Sequence, residues 1–413
     1  MAANGNTHVL KSSMAAYNMF TQTVHLHTVE RDAMLRLRSA MNDPLNQGFE
    51  LVQGTKGILR PMVHELRHWV DMNCSIRGMK TSWHIFNLIK NPTSENPSID
   101  QLKRDIGLKF FIMEPDAGIP FPWRHAIKIS KPLFAENIEH FSVCFYKGDD
   151  KYGKNHLFKS PIYLGSMLEC AAYFQELIDA APNMRRSGTW ALDKHLFARD
   201  EKAFVYDSSL AEYHCLAHAF AGAVSEPDML TTYEFCSSLC FWLLNMPDDM
   251  LRASVTEACE WNKRHTQNDY LAGYAKNWPY ESIIVATLNK LRTLPPAVRG
   301  TLRQELVYEL FDCWKAFKAD YFEKSHEGFL AEITRTAEVA PEYFECAKTA
   351  LIHNNKEILE RKTLIPSIFK LKYPPLYCGD FNVNGDEAFD GLEAHFSELD
   401  QVLMASLIKI EAP

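Results

Sequence analysis

The chain has 413 residues, 46% of them hydrophobic and 12% aromatic. This length and composition predict a folded protein with one large core or two to three ordinary ones. The formal net charge of −8 provides no overall positive field, so neither nucleic acid nor an anionic membrane surface is an expected partner.

Two further features of the sequence bear on the cellular compartment of the protein. The amino-terminal stretch MAANGNTHVL lacks a basic segment followed by an apolar run, so no secretory signal is predicted, and the apolar runs farther along are too short to span a bilayer. The ten cysteines include no C-x-x-C pair, which argues against a disulfide scaffold and against a thiolate zinc finger. We therefore expect a cytoplasmic protein with reduced thiols.

Helical periodicity dominates the chain. Amphipathic patterns predict helices, in chain order, over residues 30–41, 58–72, 165–181, 208–224, 230–244, 280–291, 296–322 and 386–410. Strand patterns are fewer and cover residues 108–113, 125–130 and 140–147. The stretch QGTKG at residues 53–57 is interpreted as a turn before the second helix, with Pro61 in the first turn of that helix.

These patterns predict an α+β fold that is predominantly α-helical. The strands all fall in the first part of the chain, so we expect a mixed part with a small β-sheet over residues 1–225 and an all-helical part of unknown role over residues 226–413.

The residues with the clearest chemical pattern lie in the second predicted helix, where His64, Glu65 and His68 form an H-E-x-x-H sequence. Residues four apart on a helix lie above one another, so the two imidazoles can point at one zinc ion. Glu65 is offset by about 100° from His64, which places its carboxylate beside the metal as a general base. Asp71 lies on the histidine face, where it could hold the second ring nitrogen of a ligand histidine.

A third ligand must come from farther along the chain. Glu169 is the first choice, because it stands on a largely apolar helix among small residues and a carboxylate is costly to bury there unless it is paired or bound to a metal. Glu212, His214 and Asp71 remain alternatives. His214 and His218 are also four apart on an apolar helix, where a histidine is more often a core residue than a ligand.

The sequence H-E-L-R-H-W-V-D, followed about a hundred residues later by G-x-x-x-E-x-x-A, resembles the zincin metallopeptidases, and more narrowly the gluzincin type. The resemblance covers roughly residues 58–78 and 162–180. It implies that His64, His68 and Glu169 bind zinc and that Glu65 is the general base. The stretch NCSIRG at residues 73–78 departs from the Thr-Pro-Tyr-Gly-like turn of many relatives, which weakens assignment to a subfamily.

The expected function is therefore that of a zinc-dependent metallopeptidase acting on a peptide or protein substrate. Tyr213, His214 and His218 are candidates for the hydrogen-bond donor that stabilises the transition state. By analogy with zincins, residues 140–147 are expected to form an edge strand that pairs with an extended substrate. The alternative is a non-catalytic zinc-binding or helical interaction protein built on a zincin fold.

Overall fold

The computed structural model describes residues 15–19, 22–27, 29–35, 49–90, 93, 95–115, 118–130, 139–148, 156–185, 190–225, 228–267, 269–295, 304–315, 319–336, 341–360, 370–378, 381–383 and 385–389. Helices dominate these residues, and two small sheets accompany them, so the predicted α+β, mostly helical fold class is confirmed. None of the described helices is long and apolar enough to cross a membrane.

The helices of the described ranges are numbered in chain order. They are α1 (Phe49–Cys74), α2 (Ile76–Lys90), α3 (Ser98–Asp105), α4 (Leu164–Arg185), α5 (Trp190–Val205), α6 (Ala211–Val224), α7 (Met229–Asn245), α8 (Asp248–Thr266), α9 (Tyr270–Ala275), α10 (Pro279–Thr293), α11 (Gln304–Glu309), α12 (Asp312–Lys315), α13 (Ala319–Thr336) and α14 (Pro341–Glu360). Short 3₁₀ helices cover Gly107–Phe111, Ser208–Leu210 and Glu387–Phe389.

One sheet is built from the two ends of the described chain. It contains β1 (Ala15–Asn18), β2 (Thr23–Leu26), β6 (Leu376–Cys378) and β7 (Phe381–Val383) in the order β1-β2-β6-β7. The β1–β2 and β6–β7 pairs are antiparallel, whereas β2 and β6 run parallel. This sheet lies against α1 through β1 and β2.

The second sheet consists of β3 (Trp123–Ser130), β4 (His140–Lys147) and β5 (His156–Pro161), all antiparallel, with β4 in the centre. The strand prediction for residues 140–147 is therefore confirmed. The expected edge-strand role of this segment is wrong, because β4 pairs with a neighbour on each side and so cannot add a further strand.

Helix α1 is the centre of the core that supports the site. Its apolar side chains recur at helical spacing and are at most 4% exposed, namely Met62, Val63, Leu66, Trp69 and Val70. They belong to one hydrophobic cluster with the buried apolar side chains of α4, and α1 packs on α4, which in turn packs on α6 and α7. Both predicted parts of the chain contribute to this one hydrophobic cluster. The expectation of an all-helical part over residues 226–413 is wrong, because β6 and β7 lie within it, while the predicted boundary near residue 225 stays a prediction.

Three local predictions are corrected by the structure. The stretch at residues 53–57 is helical and Pro61 lies inside α1, since two glycines cost only about 1 kcal/mol each relative to alanine and burial of α1 offsets this. Residues 108–111 of the predicted strand belong to the 3₁₀ helix Gly107–Phe111, and within residues 108–113 only Met113 pairs like a strand, with Lys159. Leu108 is buried there while Phe110 is 80% exposed.

The third correction concerns the helix predicted over residues 296–322. In its described residues this segment is divided into α11, α12 and the start of α13. The Glu257 carboxylate accepts the backbone N–H groups of Asp312 at 2.8 Å and Cys313 at 2.9 Å, which caps a new helix start. Phe311 is fully buried in the break. Most of the predicted helix over residues 386–410 lies outside the described residues.

A buried ion-pair network joins helices from both halves of the chain. One Arg77 terminal nitrogen donates to Asp105 at 3.1 Å and to Glu281 at 2.9 Å, and the guanidinium lies 4.0 Å from the centre of the Tyr280 ring. All three charged residues are at most 4% exposed. The network therefore ties α2 to α3 and α10.

We expect Arg77→Met to lower the free energy of unfolding by about 3–5 kcal/mol, because it leaves two carboxylates buried without their cation. Urea denaturation monitored by circular dichroism measures this. Arg199→Met is the matched control, since Arg199 is 70% exposed beside Asp200 and its loss should change stability by less than about 0.5 kcal/mol. Equal effects of the two substitutions would contradict this interpretation.

Candidate metal centre

The two motif histidines lie side by side on α1. Their ring centroids are 4.6 Å apart and the rings are nearly perpendicular, at 88°. His64 is 6% exposed and His68 is 5% exposed. The i, i+4 spacing therefore places both imidazoles at one buried point, as the sequence predicts.

Glu169 on α4 completes a group of three. Its Oε2 atom lies 3.0 Å from Nε2 of His64 and 3.5 Å from Nε2 of His68. Ligand atoms bound tetrahedrally to zinc at 2.0–2.1 Å lie about 3.3 Å from one another, so both distances fit a shared ion. The three residues form a cluster that could hold a metal ion, which agrees with the prediction that Glu169 joins the histidines.

The surroundings of this cluster carry an excess of buried negative charge. Five glutamates within it or bonded to its neighbours are each at most 9% exposed, whereas Arg60 and His64 each bond directly to two of them. Uncompensated charge in a protein interior costs several kcal/mol per ion in effective terms, so a bound cation would relieve this excess. The glutamates are Glu65, Glu169, Glu176, Glu201 and Glu212.

Charges and hydrogen bonds between the buried residues of this cluster shift their pKa values. Burial raises the pKa of Glu169, but the charge of His68 and the hydrogen bonds from His64 and His68 outweigh burial and hold the pKa well below its usual range. Burial lowers the pKa of His64, but hydrogen bonds to Glu169 and Glu176 outweigh it and raise the pKa well above its usual range. The site thus favours positive charge between these side chains.

The second nitrogen of His64 bonds to a carboxylate other than the one expected. Nδ1 of His64 lies 2.7 Å from Oε1 of Glu176, whereas Asp71 accepts from Nε of Arg67 at 2.8 Å. Asp71 is therefore paired within α1, and the expectation that it holds a ligand histidine is corrected. Among the described residues, Nδ1 of His68 has no hydrogen-bond partner.

Glu212, an alternative third ligand, is hydrogen-bonded to Tyr163 beside the cluster. Its carboxylate accepts a hydrogen bond from the Tyr163 hydroxyl, and burial together with the charge of Glu169 raises its pKa to about 7. A Cβ atom at Gly165 would lie 2.4 Å from the Tyr163 hydroxyl and 2.8 Å from the Glu212 carboxylate. Glycine at this position therefore allows the Tyr163–Glu212 pair to pack against α4.

The two histidines of α6 have partners elsewhere. Nδ1 of His214 lies 2.5 Å from the Tyr233 hydroxyl, and Nε2 of His218 donates to the Val205 carbonyl at 3.0 Å. Burial lowers the pKa of both rings, which keeps them neutral. Both are thus bonded in the core, and neither belongs to the metal-ligating group formed by the described residues.

Glu65 contacts β1, the first of the described strands. One of its carboxylate oxygens accepts the backbone N–H of Tyr17 in β1 at 2.7 Å, and the residue is 3% exposed. This bond fixes the carboxylate with one oxygen committed to β1. The edge strand next to the motif helix is therefore β1 of the four-stranded sheet and not β4 of the other.

Tyr213 is the donor candidate that lies at the cluster. Its ring centroid is 5.5 Å from that of His64, and it is only partly buried. The negative charge of Glu169, followed by burial and the charge of Glu65, raises the pKa of the Tyr213 hydroxyl. The phenol therefore stays protonated and can donate a hydrogen bond.

Sequence reasoning missed four residues around the ligands. Arg60, Glu176, Glu201 and Tyr17 all bond to the motif residues or to one another. One signal was present for Glu176, which follows Glu169 by seven residues and so lies two helical turns along the same face. The others come from segments with no local pattern that points to the site.

Comparison of the chain with protein-family models, with curated proteins and with solved structures finds no match.

Proposed function

We propose that the chain is a zinc-dependent metallopeptidase-like hydrolase that uses Glu65 as general base on a peptide or protein substrate. The observation that carries this proposal is the convergence of His64, His68 and Glu169 at distances suited to one tetrahedral ion, with Glu65 next to the first ligand. Zinc is favoured because two imidazoles and one carboxylate are a common ligand set of its catalytic sites, which keep a fourth position open.

Each residue has a defined task in this proposal. His64, His68 and Glu169 hold the ion, which when bound supplies Lewis acidity and an activated water. Glu65 has one oxygen fixed by the Tyr17 N–H, which leaves its other oxygen to accept the proton of the attacking water. Tyr213, the donor candidate nearest to the His64 ring, would hydrogen-bond the oxygen on which negative charge develops.

The substrate class rests on the resemblance to zincins, which bind peptides in extended form along an edge strand. This favours a peptide or protein substrate over a small ester or amide. The backbone of β1 beside Glu65 is not open to such a peptide, because the Tyr17 N–H is bonded to the Glu65 carboxylate and Ala15 and Tyr17 are at most 8% exposed.

A second candidate function has one observation in its favour. The Tyr17–Glu65 hydrogen bond gives the motif glutamate a structural task, and the three ligand residues and Glu65 are each at most 6% exposed. A non-catalytic metal-binding or interaction protein would need no more than this. Glu65 is then an anchor for β1.

Cleavage that depends on zinc separates the two functions. The chain is incubated with a peptide library after zinc loading, after chelation, and after zinc is restored, and the products are mapped by mass spectrometry. We expect new peptide ends with zinc, none with chelator, and recovery when zinc is restored. A zinc-bound chain that cleaves no peptide in the library would favour the interaction protein.

A further inference from the structure

We propose that Glu176, held in place by Arg60, is the positioning residue that orients the His64 ring toward the metal. This inference rests on the proposed function, because it assigns a role around the same ion. It replaces Asp71, which the sequence suggested for this task and which is paired with Arg67.

Both ring nitrogens of His64 bond to glutamates of one helix, α4. Glu169 lies at Nε2 at 3.0 Å, and Glu176 lies at Nδ1 at 2.7 Å. The two glutamates are seven residues apart on α4, which is two helical turns. When Nδ1–H donates to Glu176, the lone pair of Nε2 is directed to the point that Glu169 and His68 share.

The Glu176 carboxylate is itself hydrogen-bonded at both oxygens. Oε1 bonds to His64, and Oε2 accepts from Nε of Arg60 at 2.6 Å. Arg60 and His64 are four residues apart on α1, so both donors come from the same helix face. A carboxylate that is hydrogen-bonded at both oxygens keeps a single orientation, and its bond to Nδ1 then fixes the orientation of the His64 imidazole.

Arg60 is bonded to Glu201 as well as to Glu176. A terminal nitrogen of Arg60 donates to Oε2 of Glu201 in α5 at 3.1 Å, and the Tyr173 hydroxyl donates to the same oxygen at 2.6 Å. The chain of contacts thus runs from α5 through Arg60 and Glu176 to His64. These contacts are buried, with the Glu201 side chain 1% and the Arg60 side chain 16% exposed.

His68 provides an internal comparison. Among the described residues no group hydrogen-bonds its Nδ1 atom, so the structure supports one of the two ligand histidines in this way and not the other. A change at Glu176 should therefore act on His64 and leave His68 unaffected. This asymmetry distinguishes positioning from a general effect on the fold.

The test measures zinc affinity and the His64 ring proton together. Zinc affinity is obtained by competition with a chromogenic chelator for wild type, Glu176→Ala, Glu176→Gln and Glu201→Gln. We expect Glu176→Ala to bind zinc about 10- to 100-fold more weakly, and Glu176→Gln to recover part of this loss, since its amide oxygen can still accept from Nδ1–H. Glu201→Gln removes a buried carboxylate that bonds to Arg60 and not to His64. It weakens the support of Glu176 but leaves the Glu176–His64 bond in place, so its loss of affinity should be clearly smaller than that of Glu176→Ala.

Proton NMR of ¹⁵N-histidine-labelled protein provides a second readout, the Nδ1–H signal of His64. This signal would not change if Glu176 had only a general structural role. The wild type should show a slowly exchanging, downfield Nδ1–H resonance of His64, and Glu176→Ala should lose this resonance while the His68 signals stay in place. Unchanged zinc affinity in Glu176→Ala, or an equal loss in Glu201→Gln, would overturn the role of Glu176. A wild type that shows the resonance but takes up no zinc would instead overturn the proposed function.

Discussion

Glu65→Gln is expected to keep the bound zinc and to lose catalysis. Glutamine has nearly the same size, and its amide oxygen can still accept the Tyr17 N–H that anchors β1, but it cannot take a proton from water. Removal of a general base typically costs about 10²- to 10⁴-fold in rate. We therefore expect kcat to fall by at least that factor on any peptide that the wild type cleaves, with an unchanged zinc content.

The control for this experiment is Glu260→Gln, which makes the same chemical change at an exposed residue paired with Arg264. It should cleave at the wild-type rate. Should Glu65→Gln and wild type cleave every peptide equally well while both hold zinc, Glu65 would not be the base. The structural role of Glu65 in anchoring β1 would then be the better account of its burial.

Zinc is expected to stabilise the fold strongly. A ligand that binds only the native state raises the free energy of unfolding by about 4 kcal/mol when its free concentration is a thousand times its dissociation constant. The physical source here is the buried negative charge around His64, His68 and Glu169, which a divalent cation compensates. Thermal unfolding of the zinc-free chain, measured with and without added zinc, should show a clear rise in Tm.

Two histidine variants give this prediction its controls. His68→Ala removes a ligand and should abolish the zinc-dependent rise in Tm, although the variant can still fold on its large core. His265→Ala removes an exposed histidine that bonds to the Trp261 carbonyl, and its response to zinc should match that of the wild type. A rise in Tm that survives in His68→Ala would show that zinc acts at another place on the chain.

The histidine pair of the candidate metal centre could be predicted from sequence because its geometry is local. His64 and His68 share a face through helical spacing alone, and their positions follow once residues 58–72 are recognised as a helix. Glu169 was the first choice for a third member because a carboxylate in an apolar helix needs a partner. Its choice over Glu212, His214 and Asp71 depends on how α4 packs on α1, which the sequence does not show.

The contacts that surround this cluster could not be predicted in the same way. Arg60 meets Glu201 across 141 residues of chain, and no local pattern marks either residue as a partner of the other. The sheet next to α1 was missed for a related reason: β2 pairs with β6, and strands of four and three residues are too short to show a period of two. Both features are determined by tertiary contacts.

The zinc content of the purified chain tests the central claim most directly. Wild type and His64→Ala are loaded with zinc, passed through a desalting column and analysed for metal by inductively coupled plasma mass spectrometry. One site made by His64, His68 and Glu169 predicts about one zinc ion per wild-type chain and almost none in the variant, because a site left with two ligands binds weakly. A wild type without zinc, or a His64→Ala variant with as much zinc as the wild type, would contradict it.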